Sequence, residues 1–229
     1  MAIFHNPSIE VKTIDTEYTP KPITSIEVLN ELRIRKGLLA YDVAQWAALA
    51  ERFDCKEQSI LWQCMNDKIG DEFHRNLDGI VRSHQNINYD TLYRGLSRRE
   101  SRNFYDALIK GYPFEFGKVS SFTVDEKIAC EFAGKWHYAT HVVIEVKDCP
   151  IAFDYQHNMK ALLITAPDSE FMRLNDSVDN ITHRRNADIE MIDKEQERML
   201  PIGTKFRVVD HDKVEKSGLL LDYFSVTIA

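Results

Sequence analysis

Apolar residues recur at helical spacing through the first third of the chain and at strand spacing further on, and this change of period divides the sequence. Thr24 and Glu27 form a Thr-x-x-Glu capping box that opens a helix over 24–37. Asp42 caps a second helix, in which Val43, Trp46, Ala47, Ala50 and Phe53 recur on one face. A third helical stretch carries Ile60, Leu61, Cys64 and Met65, and a fourth carries Phe73, Leu77, Ile80 and Val81. Ahead of them, residues 1–23 hold Pro7, Pro20 and Pro22 with little periodicity and read as an extended arm.

Beyond residue 88 the pattern turns to short strands. Residues 91–94 read as a strand stopped by Gly95, followed by a polar helix over Arg98–Lys110 and a loop with Gly111, Pro113 and Gly117. A strand over 119–124 comes next, then a helix capped by Asp125 and carrying Ile128, Ala129, Phe132 and Ala133. His141–Val146 is the clearest strand, rich in β-branched residues and broken at Cys149-Pro150. Further strands are expected at 151–153, 190–192, 205–209 and 223–228, with residues 166–185 as a long polar loop of functional character. The fold class is α+β: an arm over 1–23, a helical region over 24–88 and a mostly antiparallel β core over 89–229, with 24–229 one compact unit.

Composition narrows the function. At 229 residues and 44% hydrophobic the chain suits one globular unit with a substantial core. A formal charge of −7 argues against broad nucleic-acid binding, and the clusters Arg98/Arg99/Arg102 and Arg184/Arg185 read as solvated faces. Cys55, Cys64, Cys130 and Cys149 have no Cys-x-x-Cys spacing and are expected as reduced, mostly buried thiols. The eight histidines are dispersed, so no metal is expected. No Gly-x-Gly-x-x-Gly follows a strand, and no apolar run approaches membrane-spanning length, which points to a soluble intracellular protein.

The candidate chemistry lies in three elements in chain order. An arginine closes a strand (Tyr93-Arg94-Gly95), a Ser-x-Thr occupies the next (Ser121-Phe122-Thr123), and two acids flank one residue at Glu195-Gln196-Glu197, just ahead of Met199, Pro201, Ile202 and Gly203. If the backbone at 195–197 is extended, both carboxylates point to one side. Each element is commonplace alone. Together, in this order, the chain resembles the arginine-directed mono-ADP-ribosyltransferases, and among them the Mod enzymes of T-even bacteriophages, the ModB type in particular. Residues 59–65 join the likeness, which runs from about 53 to 209.

That resemblance implies a mono-ADP-ribosyltransferase fold with a β core of two packed sheets, NAD as substrate and no metal. Splitting nicotinamide from ribose builds an oxocarbenium-like charge on the sugar, and a carboxylate beside it stabilises that charge. Glu197 takes this role and holds a ribose hydroxyl; Ser121 positions Glu197, and Thr123 supports the strand or the ribose site. Arg94 clamps the pyrophosphate or the adjacent ribose, next to Gly95, through a planar fork of donors. Glu195 faces the acceptor arginine and takes its proton. Phe132 either packs near nicotinamide or is a core side chain beside Ile128 and Ala129. The implied partners are host proteins with exposed arginine, above all the translation machinery, such as ribosomal protein S1, in the host cytoplasm or carried with the virion. NAD-linked RNA is a further donor to consider; DNA and membranes are not expected partners. The rival readings are an NAD glycohydrolase and an inactive module that binds a host protein.

Overall fold

The computed structural model describes residues 42–66, 70–88, 90–135, 141–173, 177–216 and 218–229. The arm over 1–23 and the helix expected at 24–37 lie outside the described residues. Three helices come first, α1 (Val43–Ala50), α2 (Cys55–Met65) and α3 (Asp71–His84). Asp42 caps α1 by accepting from the Gln45 N–H, and Asp54 with Glu57 forms a reciprocal capping box on α2. In α3 the acids Asp71 and Glu72 sit in the first turn and Arg82 and His84 in the last, which suits the helix dipole.

The β region then alternates strands and helices: β1 (Asn86–Ile87), β2 (Leu92–Gly95), α4 (Arg98–Lys110), β3 (Phe114–Glu115), β4 (Ser120–Thr123), α5 (Glu126–Gly134), β5 (His141–Val146), β6 (Ile151–Ala152), α6 (Tyr155–Thr165), a 3-10 turn (Asp168–Phe171), α7 (Val178–Glu195), β7 (Glu197–Leu200), β8 (Lys205–Lys216) and β9 (Leu219–Ile228). Seven strands form one sheet in the order β3-β8-β9-β5-β2-β4-β7, and β1 pairs with β6 in a second, two-stranded sheet. The pairings are antiparallel except β5 with β9. A bridge between Phe153 and Met199 joins the small sheet to the edge of the large one. The architecture is the α+β class with a mostly antiparallel core, as the sequence predicts.

Two apolar clusters hold the main layers. One lies among α1, α2, α3, α6 and α7 and reaches the sheet edge through Phe153 and Met199. The other packs α4 on the sheet through Phe104, Phe114, Phe116, Phe122, Phe206 and Phe224, whose rings meet mostly edge to face. On the opposite face α5 lays Ala129, Cys130 and Ala133 against Val143, Leu221 and Tyr223. Both faces of β5 are therefore covered, and Val142, Val143 and Ile144 are fully buried.

Four expectations need correction. The segment 166–185 is not a long loop and 190–192 is not a strand, because α7 runs through both. Its buried stripe is Ile181, Arg185, Ile189 and Ile192, and the arginine in the second position hides the helical period. Arg185 is no part of a solvated face: it is fully buried, donates to the Leu163 and Ala166 carbonyls at the end of α6 and to Asp168, and lies over the Phe171 ring. Arg98, Arg99 and Arg102 are exposed, as expected. Of the four free thiols only Cys130 and Cys149 are buried, while Cys64 is half-buried and Cys55 exposed.

Candidate active site

β2, β4 and β7 stand side by side, and their register sets the site. Thr123 faces Tyr93 on one side and Glu197 on the other, which puts Tyr93, Thr123 and Glu197 in one row on one face of the sheet. Ser121 lies two residues along β4 on that same face, opposite Met199, so its hydroxyl reaches Glu197 diagonally. The helices α3, α5 and α7 close over this row. Between them lies a cavity of about 600 Å³, within the range of small-molecule sites, whose lining includes Arg94, Gly95, Ser121, Thr123, Phe132, Glu195 and Glu197. The seven candidate site residues thus line one cavity, whereas Pro201, Ile202 and Gly203 of the third element do not.

The route by which the acids meet differs from the extended-backbone expectation. Glu195 is the last residue of α7, Gln196 turns left-handed at φ 48°, and Glu197 opens β7. The Gln196 N–H closes the helix on the Ile192 carbonyl. The two carboxylates face one cavity because a helix end is folded back onto a strand start, not because side chains alternate. Burial raises the Glu197 carboxyl to about 7; the Ser121 hydrogen bond opposes the rise, the Glu195 charge adds to it and Arg94 opposes it.

Arg94 lines the cavity from β2, on the far side of β4 from Glu197. The β2–β4 ladder holds a single registered pair, Tyr93 with Thr123. Beyond it the Arg94 guanidinium bridges the strands by donating to the Ser121 carbonyl. It also donates to Glu100 Oε1 at 2.8 Å and lies over the Phe116 ring at 4.8 Å. Burial works against the Glu100 charge, yet Arg94, the Ser97 N–H and Lys118 outweigh it and hold that carboxyl at about 2.

The other expected residues divide by task. A Cβ on Gly95 would stand 2.2 Å from the Ala129 carbonyl oxygen and 2.4 Å from the Ala133 nitrogen, so the bare glycine is what lets α5 lie against β2. The Thr123 hydroxyl accepts from the Asp125 N–H at 3.0 Å and fixes the turn into α5. Phe132 stands apart from the apolar clusters and lines the cavity, with Lys135 Nζ 4.4 Å above its ring. Glu100, Lys118 and Tyr155 also line the cavity, outside the motifs that the sequence offers. Glu100 was open to discovery, since Ser97-x-x-Glu100 is a capping box that places an acid one helical turn from the arginine strand. Tyr155 carried no local signal. Among the described residues no group of three or more His, Cys, Asp or Glu could hold a metal, and no helix is long and apolar enough to cross a membrane.

An α+β core that gathers an arginine, a Ser-x-Thr strand and two acids around one cavity has the make-up of an ADP-ribosyltransferase. The family model described as Bacteriophage T4 Mod ADP-ribosyltransferase matches residues 35–228, and the chain belongs to that family, whose enzymes use NAD as substrate. It is 29% identical over 191 residues to the NAD–protein ADP-ribosyltransferase ModB of Enterobacteria phage T4, covering 83% of this chain and 90% of ModB. To ModA of the same phage it is 31% identical over 177 residues, covering 76% and 82%. Among solved structures, Plx2a, an ADP-ribosyltransferase toxin from Paenibacillus larvae, aligns over 87% of this chain and 96% of its own at 10% identity and a TM-score of 0.47.

Proposed function

We propose that this chain transfers ADP-ribose from NAD to arginine side chains of host proteins inside the infected cell, releasing nicotinamide. The observation that carries the reading is the presence of Glu195 and Glu197 in one cavity with Ser121 and Arg94. Nicotinamide leaves with both electrons of its bond to the ribose, and the sugar becomes cationic at its anomeric carbon. Glu197, held by Ser121, meets that charge. A carboxyl that titrates near neutrality is readily drawn to its ionised form by the positive nicotinamide ring of the incoming substrate. The stabilisation grows as the bond breaks, which is the condition for lowering the barrier.

Glu195, at the flexion point between α7 and β7, serves the acceptor. An arginine is protonated in water at any working pH, so its nitrogen attacks only when a carboxylate orients the guanidinium and accepts its proton as the new bond forms. Arg94 serves as an anchor of the NAD-binding wall, and Phe132 offers a ring for the nicotinamide. Acceptors in the translation machinery, such as ribosomal protein S1, and NAD-linked RNA as a donor follow from the family likeness and complete the proposal.

Labelled NAD incubated with host lysate tests it. The expected result is labelled protein, with the modification on arginine by mass spectrometry, and Glu195→Ala should lose protein labelling while still releasing nicotinamide. Label on another residue type would remove the arginine assignment. Free ADP-ribose without labelled protein would make the enzyme a glycohydrolase.

A further inference from the structure

The cavity takes its charges from different elements. Glu195 and Glu197 stand where α7 meets β7 and Lys135 follows α5, whereas Arg94, Glu100, Lys118 and His74 line it from β2, α4, the loop ahead of β4 and α3. NAD is itself polar: a sugar that turns cationic at one end of the reacting half, and a doubly negative pyrophosphate further along. We propose that Lys118 and His74, together with the Nε of Arg94, form the subsite that takes the pyrophosphate of NAD.

Three observations carry this. Lys118 Nζ stands 3.7 Å from Glu100 Oε1, beyond hydrogen-bonding length, so none of its three donors is used there. Its side chain is 48% exposed, whereas Arg94 and Glu100 are each 15% exposed, which makes Lys118 the more accessible of the two cations. Arg94 Nε and His74 Nδ1 are both buried without a protein partner, on separate elements that line the cavity. A buried nitrogen without a partner is costly unless a ligand or water satisfies it, and two of them beside a lysine make a site for an oxygen-rich anion.

The electrostatics agree. Glu100 offsets one of the two permanent cations beside it, Arg94 and Lys118, and leaves that group a single net positive charge for a dianion, while the third cation of the lining, Lys135, lies over the Phe132 ring. His74 supplies the remainder on protonation. In the free protein burial lowers its basicity and Lys118 lowers it further, with Asp71 of its own helix opposing. A pyrophosphate between His74 and Lys118 reverses that balance, so NAD binding near neutral pH takes up a proton.

The inference rests on the reading of the cavity as the NAD site, and the test separates the two. The full chain is titrated with NAD, ADP-ribose and nicotinamide riboside, the last lacking any phosphate, using calorimetry for the first two and ligand-observed NMR for the third. Lys118→Ala and His74→Gln should each weaken NAD and ADP-ribose about tenfold, the loss of one charge-assisted hydrogen bond, and leave nicotinamide riboside within about twofold. KM for NAD should rise while kcat is largely kept, and Lys118→Arg should restore most of the affinity. Calorimetry in buffers of different ionisation enthalpy should show proton uptake with wild type and none with His74→Gln. Unchanged NAD affinity in Lys118→Ala, a half-exposed position that does not endanger folding, would overturn the proposal, as would an equal loss for nicotinamide riboside. Wild type that bound none of the three would instead bring down the reading of the cavity.

Discussion

The two walls of the cavity handle charge in opposite ways. On the arginine wall the acid is fully answered: Arg94 and the Ser97 N–H both meet the Glu100 carboxylate, which is held at about 2. On the acid wall two carboxylates share a buried space, and Glu197 is pushed to about 7 despite the Ser121 hydroxyl. The first wall is built for rigidity, because an ion pair with hydrogen bonds on both partners fixes a strand to a helix. The second is held in a state that a positive charge would relieve. A site that must recognise a dinucleotide and then stabilise a transient cation needs both, and it keeps them on different strands.

The largest test removes the strained acid. Glu197→Ala should lower nicotinamide release by at least about 10²-fold, with or without a protein acceptor, since the stabilisation it supplies exists only as the bond breaks. Single-turnover release of labelled nicotinamide measures this. Activity near the wild-type level would show that the unrelieved charge on that wall has no part in the chemistry.

Next comes the surface that sets the spacing between α5 and β2. Gly95→Ala puts a methyl against two backbone atoms of α5 that cannot move independently. Overpacking of this kind should cost about 3 kcal/mol in a denaturant melt and displace Phe132 from the cavity. A third, somewhat smaller effect is expected from Glu100→Gln, at about 2 kcal/mol once the partial exposure of the Arg94–Glu100 pair is allowed for. Its pH dependence identifies the cause. The Glu100 carboxyl lies below its ordinary 4.5, so its contribution is complete above pH 4.5 and is lost as pH falls toward 2. The gap between wild type and Glu100→Gln should close over that interval, and a gap that persisted would mean packing rather than charge.

Much of this was legible in the sequence because it is written locally. Caps at Asp42 and Asp125, the β-branched run His141–Val146 and the amphipathic stripe of α3 each carry their structure within a few residues. What escaped notice has long-range causes. α6 buries Tyr155, Met159, Ala161, Leu162, Leu163 and Ile164 on several sides, so it shows no polar face and no period. α7 hides its stripe behind Arg185, whose partners are the carbonyls of another helix. β8 and β9 run longer than the polarity pattern predicts, because their outer halves pair with each other over residues that alternate little in polarity. The site residues could be named from their order along the chain, but their means of convergence could not. The left-handed turn at Gln196 is set by where β7 pairs with β4, which no pattern within 195–197 records.

The smallest expected effect bears most directly on the contrast between the walls. If Glu197 is strained when ionised, removing its charge while keeping its shape should stabilise the protein. Its folded-state carboxyl lies above the ordinary 4.5, so its contribution is most favourable below pH 4.5 and is lost as pH rises through about 7. Glu197→Gln does not titrate and escapes that loss. The two proteins should therefore melt together in acid, diverge between pH 4.5 and 7, and differ by a constant amount above it. Contact of the cavity with water discounts the full shift, which leaves about 1–2 kcal/mol, or roughly 2–6 °C in Tm for a chain of this size. A variant that is inactive yet more stable above neutrality would mark the acid wall as a place where stability is given up for chemistry. Equal melting temperatures at pH 8 would mean that Glu197 is as comfortable in its place as Glu100, and the two walls would then differ in sequence but not in physics.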